Sequence, residues 1–218
     1  AIASRLGAVV LSVGYRLAPE HPIPAPLDDC YAGLAWLHEH AASMLIDRER
    51  IAVGGESAGG GLAAMLAIKA RDAGEYAICH QQLTYPMLDN LTGTDQEPGD
   101  PLTGEFVWTR ERNSFGWTSF LGDVQAVSPQ VPARLASFEG LPPTWMMTAS
   151  LDLFRDEDIA YAQRLLAAGA KREDLVDVYT KQIRSVLELA VPAWQSGISQ
   201  AEKMDIERVQ KSACHIIL

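Results

Sequence analysis

Short apolar runs rich in β-branched residues alternate along this chain with stretches of helical length, and that order constrains the fold more than any other feature. The runs are "GAVVLSVGY" (7–15), "RIAVGG" (50–55), "YAICHQQLTYP" (76–86) and "PPTWMMTAS" (142–150). Each is short, apolar and bounded by turn-forming residues or the next element, so each reads as a buried strand. Between and after them, "CYAGLAWLHEHAASML" (30–45), "GGGLAAMLAIKARDAG" (59–74) and "RDEDIAYAQRLLAAGA" (155–170) read as helices, the last two stopping at glycine. The proline-rich "PEHPIPAPLDD" before the first helix is expected to supply its cap through its last residues. Strands joined by helices of this length lie parallel, because a parallel connection needs a crossover of a dozen residues or more. The prediction is an α/β fold: a mostly parallel sheet with helices on both faces.

At 218 residues with 48% hydrophobic and 21% charged residues, the chain is expected to form a globular domain with a sizeable core. Eighteen basic against 28 acidic residues leave a net charge of −10, which argues against nucleic acid as a partner. No apolar run approaches the roughly 18 residues of a membrane span. The first ten residues lack the features of a secretory signal. Cys30, Cys79 and Cys214 are odd in number and irregularly spaced, so no disulfide framework is expected and the compartment reads as reducing, hence cytoplasmic. No cysteine–histidine cluster has metal-ligand spacing, and neither a metal nor another cofactor is expected.

The second strand runs into Gly55-Glu56-Ser57-Ala58-Gly59, a G-x-S-x-G between a strand and a helix. That context makes Ser57 a candidate nucleophile at a sharp turn, with its hydroxyl raised above the sheet edge. Gly55 and Gly59 are expected to avoid collisions at this turn. The Ala58 N–H, at the helix start, is expected to face a developing oxyanion. A phosphate-binding loop does not fit, since no lysine follows the glycines and G-x-G-x-x-G is absent from the turn.

Four blocks in order, "LSVGYRLAPEHPIPAPLDD" (11–29), "GGESAGG" (54–60), "LTYPMLD" (83–89) and "LDLFRDEDIAYAQRL" (151–165), resemble the hormone-sensitive-lipase-like branch of the α/β-hydrolases. The resemblance covers residues 1 to about 171. It implies a three-layer α/β-hydrolase sandwich and hydrolysis of short- to medium-chain carboxylic esters, the small-molecule partners, through a serine acyl-enzyme. It places the acid of a serine–acid–histidine triad at Asp152. Asp156, Glu157 and Asp158 are the alternatives, but acids in a first helical turn are favoured by the helix dipole whatever the chemistry. The resemblance also implies a histidine in a loop beyond the next strand, and "VDVYTKQIRSVLEL" holds none. His21, His38, His40 and His80 all precede Asp152, which leaves His215 as the candidate general base. Ser199 and Glu202 form a capping-box pattern that predicts a helix to the chain end, with His215 opposite its apolar stripe of Ile206, Val209, Ala213, Ile216 and Ile217.

Two segments stand apart from this pattern. Residues 87–141 form an insertion whose Phe106, Trp108, Phe115, Trp117 and Phe120 are expected to lie on a pair of helices, packing on the core or walling an apolar pocket. Residues 172–218 resemble a stretch near the end of reverse-transcriptase polyproteins of non-LTR retroelements. They carry six basic and seven acidic residues, so they are not a basic nucleic-acid arm. Two amphipathic helices are expected there, the first with Ile183, Val186, Leu187, Ala190 and Trp194 on one side and broken near Pro192. The resulting picture is an N-terminally truncated hydrolase domain over 1–171 joined to an atypical helical tail over 172–218. Since the family's upstream His-Gly-Gly segment and its histidine loop are both missing, such a chain is expected to hydrolyse esters weakly or not at all. A non-catalytic binding or interaction module on the same fold, or a non-functional fusion product, are the alternatives.

Overall fold

The fold is seen in a computed structural model that describes residues 7–124, 126, 129–169 and 214–217. In chain order the elements are β1 (Val10–Ser12), α1 (Ala25–His40), β2 (Ala52–Glu56), α2 (Ala58–Ala73), β3 (His80–Thr84), α3 (Arg110–Leu121), β4 (Thr144–Met147), α4 (Arg155–Ala167) and β5 (Cys214–Ile217). β2, β3 and β4 are parallel neighbours, with Glu56 opposite Thr84 and Thr84 opposite Met147. The chain therefore leaves all three strands at one edge of the sheet, and candidate site residues from distant parts of the sequence meet there.

The core forms where the helices meet these strands. Val53, Leu83 and Met146 of the sheet share one buried cluster with Leu34 and Leu37 of α1, Leu66 and Ile68 of α2, and Phe154, Tyr161 and Leu165 around α4. Burying one such Leu, Val or Phe side chain contributes about 1.5–3 kcal/mol before the entropy of ordering it is set against the gain. α2 is buried from Gly59 through Ile68, which explains why its sequence is apolar on every side. It ends at Gly74 with φ +66°, the left-handed cap that the sequence predicts. Among the described residues no helix is long and apolar enough to cross a membrane.

Three expectations are corrected. First, α1 begins at Ala25, not at residue 30, and its cap residue Pro24 offers no side-chain hydrogen bond. Pro26 fits the first helical turn because its fixed φ suits a helix and its missing N–H has no partner to lose. Asp29 is thereby inside the helix, free to hold Arg16, whose Nη2 donates to Oδ1 at 2.8 Å and whose backbone N–H donates to Oδ2 at 2.9 Å. Second, among the described residues the insertion contributes one helix, α3, with a short 3-10 turn at Pro132–Arg134, instead of a helix pair. Third, the helix expected to run to the chain end does not include its last residues. Cys214–Ile217 is a strand, antiparallel to β1 and β2 and lying between them, with His215 opposite both Ser12 and Gly54. β1 and β2 do not pair with each other, so the slot between them offers unpaired backbone groups on both sides. A segment ending in two isoleucines suits the extended form that fills it. The remainder of the tail, including the Ser199–Glu202 capping box and the helix near Pro192, lies outside the described residues.

Candidate active site

Ser57 sits between the last residue of β2 and the first of α2, with φ +53° and ψ −120°. A residue with a Cβ is strained in that region by roughly 1–3 kcal/mol, so the surrounding structure must hold it there. Two hydrogen bonds to β3 and its exit do so: the Ser57 N–H donates to Thr84 O at 3.0 Å, and Met87 N–H donates to Ser57 O at 3.1 Å. Gly61 N–H also donates to Ser57 O, at 3.0 Å, closing the first turn of α2. Ala58 is exposed at the first position of α2, where an N–H has no acceptor within the helix and the dipole is positive. Gly55 is half-buried and Gly59 buried, as the last strand and first helix glycines. Close backbone approaches fall on the two glycines that follow. A Cβ on Gly60 would lie 2.9 Å from Pro86 Cβ, and one on Gly61 would strike the Met87 carbonyl oxygen.

Asp152 lies half-buried in the turn between β4 and α4, on the same sheet edge as Ser57. Its Oδ1 accepts from Phe154 N–H at 2.8 Å, which fixes the direction of the carboxylate. Burial pushes its pKa up, and the Phe154 N–H pulls against that shift. Between the two, at the end of β3, stands Tyr85, which the sequence reading did not single out. Its φ is +37°, its N–H donates to Met147 O at 2.6 Å, and its hydroxyl donates to Glu56 Oε2 at 3.3 Å. Burial, and after it the Glu56 carboxylate, push the phenol up to about 12, so it remains a neutral donor on this edge. Its signals in the sequence were the Tyr-Pro pair directly after a strand and its place in "LTYPMLD" (83–89).

The three alternative acids have other environments. Asp156 is exposed and pairs with Arg155 Nε at 2.7 Å. Glu157 is buried, its Oε1 accepting from Leu88 N–H at 2.6 Å and Asp89 N–H at 3.3 Å, and its Oε2 from the Thr92 hydroxyl. Asp158 is fully buried, and among the described residues its carboxyl group has only the Thr148 hydroxyl nearby to oppose the effect of burial. Burial pushes Glu157 up to about 8, against the pull of its donors, and burial with the Glu157 charge beside it raises Asp158 well above an ordinary aspartate. Both acids bind protons more tightly in the folded chain than in the unfolded one, so stability falls as pH rises. The loss for Glu157 begins near its ordinary value of 4.5 and is complete near 8. Urea midpoints measured at pH 5, 6.5 and 8 are expected to decline in that order, and Asp158→Asn to shrink the decline.

A cavity of about 250 Å³ opens on the flank of α4, lined by Asp89, Thr92, Leu153, Glu157, Tyr161 and Arg164 among others. Neither Ser57 nor Asp152 borders it, and it is separate from the sheet edge described above.

The insertion reaches the turn that carries Asp152. Gly104 N–H donates to Leu151 O at 3.2 Å, Arg155 Nη2 meets Asp100 Oδ2 at 3.2 Å, and Arg110 binds the carbonyl oxygens of Asp100 and Thr103. Of the five aromatics in its middle, Trp117 is in the core, Trp108 and Phe120 pack partly against it, and Phe106 and Phe115 are exposed. The histidines are dispersed. His38 Nε2 lies 3.0 Å from Ala77 O and His40 Nδ1 2.8 Å from Trp36 O, both at the end of α1. His21 lies in the loop before α1, and His80 opens β3 at the opposite end from Tyr85. His215 lies in β5 opposite Gly54, so along β2 its backbone is three residues short of Ser57, or about 10 Å. The structure thus brings Ser57, Ala58 and Asp152 to one edge and aligns His215 further back along the sheet. Among the described residues no group of three or more histidine, cysteine or acidic side chains is arranged to hold a metal.

Comparison with known proteins points to one fold family. Esterase LipI of Mycobacterium tuberculosis is 37% identical over 76% of this chain and 52% of its own length. The gibberellin receptor GID1A of Arabidopsis thaliana is 34% identical over 74% of this chain and 48% of its own. A bacterial heroin esterase of known structure is 43% identical with a TM-score of 0.66, over 72% of this chain and 51% of that one. The chain spans about half the length of the curated relatives it matches. Residues 1–183 match the α/β hydrolase fold family, a match that runs past the junction expected near residue 171. With a strained serine between a parallel strand and a buried helix, and an oriented carboxylate on the same sheet edge, this chain belongs to the α/β hydrolase fold family.

Proposed function

We propose that this chain carries the serine and acid of a carboxylic-ester hydrolase that works through an acyl-enzyme on short- to medium-chain esters. The observation that carries the reading is the backbone of Ser57, held at φ +53° at the mouth of α2 by bonds from two other segments. A side chain in that turn costs strain, and a serine there projects Oγ where a carbonyl carbon can approach. In the reaction Ser57 Oγ attacks the ester carbonyl, and its proton passes to a base and then to the departing alcohol. The Ala58 N–H stabilises the oxyanion. Asp152 orients the base and balances its positive charge, and water then hydrolyses the acyl-serine. His215 is the candidate that the sequence offers for that base, but β2 and β3 separate its strand from the one leading to Asp152, so it meets Asp152 only by leaving its place in β5. The insertion beside Asp152 shapes the acyl side of the site, and the names of LipI and the heroin esterase fit an ester substrate.

The test is turnover of p-nitrophenyl butyrate and p-nitrophenyl palmitate by the purified chain. Slow, saturable hydrolysis of the butyrate is expected, at least about tenfold preferred over the palmitate and absent in Ser57→Ala. Turnover that persists in Ser57→Ala would sink the reading. Loss of turnover in His215→Ala would assign the base to that residue, and unchanged turnover would remove it from the mechanism. Serine labelling without turnover would favour a binding module, the role named for the gibberellin receptor.

A further inference from the structure

We infer that Glu157 is a positioning residue for the Ser57 turn, clamping the segment that leaves β3 against the start of α2. The inference rests on Ser57 being the nucleophile and extends it to a side chain that does not touch the reacting atoms. Glu157 gathers Leu88 N–H, Asp89 N–H and the Thr92 hydroxyl onto one carboxyl group. The residue immediately before them, Met87, donates its N–H to Ser57 O and presents its carbonyl to Gly61. Holding Leu88 and Asp89 therefore holds Met87, and Met87 holds the carbonyl of the strained serine. The far side of the segment is secured separately, since Asp89 Oδ1 accepts from Arg134 Nη2 at 2.8 Å and from Leu91 N–H at 3.0 Å.

The acid lies in the turn just before this helix. Arg155 N–H donates to Asp152 O at 3.3 Å, and Asp152 Oδ1 is fixed by Phe154 N–H. Glu157 thus joins the turn bearing Asp152 to the turn bearing Ser57 by side-chain-to-backbone bonds, independently of the sheet ladder. The helix dipole alone does not explain this residue. Asp156 satisfies the dipole from an exposed position, whereas Glu157 is 8% exposed and a buried carboxyl is costly unless its hydrogen bonds matter.

Glu157→Ala, Glu157→Gln and the control Leu165→Ala, a buried α4 residue that makes none of these bonds, separate positioning from general stability. Two readouts are taken on each: the rate at which a fluorophosphonate labels Ser57, and amide exchange at Met87 and Gly61. In Glu157→Ala, labelling is expected to slow at least about tenfold and exchange at both amides to rise by a similar factor. Glu157→Gln keeps an acceptor for Leu88 and Asp89 and is expected to recover most of the labelling rate. Leu165→Ala, studied where its loss of stability matches that of Glu157→Ala, is expected to label at the wild-type rate. Wild-type labelling in Glu157→Ala, no recovery in Glu157→Gln, or equal slowing in Leu165→Ala would each overturn the inference. If the unaltered chain does not label, the hydrolase reading fails, and exchange at Met87 and Gly61 decides the clamp alone: a rise supports it and no change overturns it.

Discussion

Ser57→Gly is expected to leave a chain that folds more stably and reacts with nothing. At φ +53° and ψ −120° serine is strained by roughly 1–3 kcal/mol, and glycine adopts that backbone freely. Glycine costs about 0.5–1 kcal/mol of extra unfolded-state entropy, so the net gain is about 1 kcal/mol, visible as a higher urea midpoint. Ser57→Ala keeps the strain and is expected to match the wild type in stability. Both changes take ester turnover to the spontaneous rate. In a fully assembled triad, loss of the serine costs on the order of 10⁶ in turnover. A less stable Ser57→Gly would mean that the backbone is not strained, and the main argument for a working serine would go with it.

Gly61→Ala is expected to be the most disruptive small substitution in the chain. An added Cβ would meet the Met87 carbonyl oxygen, a backbone atom fixed from both sides and unable to swing away as a side chain would. Overpacking of this kind costs typically 1–3 kcal/mol, and a rigid backbone partner puts Gly61 at or above the upper end. Gly74→Ala is the useful contrast, because nothing lies within 4 Å of its Cβ position and only the positive φ opposes the change. Thermal unfolding of the two variants side by side checks this. Comparable losses would show that α2 and the Met87 segment can move apart. Since Met87 also holds Ser57 O, Gly61→Ala is expected to slow serine labelling even where the chain is folded.

Much of this arrangement was legible in the sequence because it depends on local pattern. The strand–serine–helix turn announces itself through β-branched residues, glycines and an alanine-rich helix in immediate succession. The parallel order of β2, β3 and β4 follows from the helical lengths between them. The sequence was less informative where partners are distant. Gly55 and Gly59 flank the serine and drew attention, whereas the close approaches at Gly60 and Gly61 are to a segment about 25 residues later and had no local signal. Glu157 read as a dipole acid because first-turn acids usually are, and only the fold brings Leu88, Asp89 and Thr92 to it. Cys214–Ile217 followed a helical pattern on paper, but a four-residue segment takes its conformation from what it pairs with, and here two strand edges stand open to it. Tyr85 had no periodic signature at all, since its place is set by β3 ending between two other strands.

The proposal that Ser57 is an activated nucleophile comes down to one covalent bond. Incubation of the folded chain with a fluorophosphonate, followed by peptide mapping, is expected to give a single phosphonyl adduct on Ser57 and none in Ser57→Ala. An adduct on another residue with Ser57 unmodified, or no adduct on a chain shown to be folded, would contradict it.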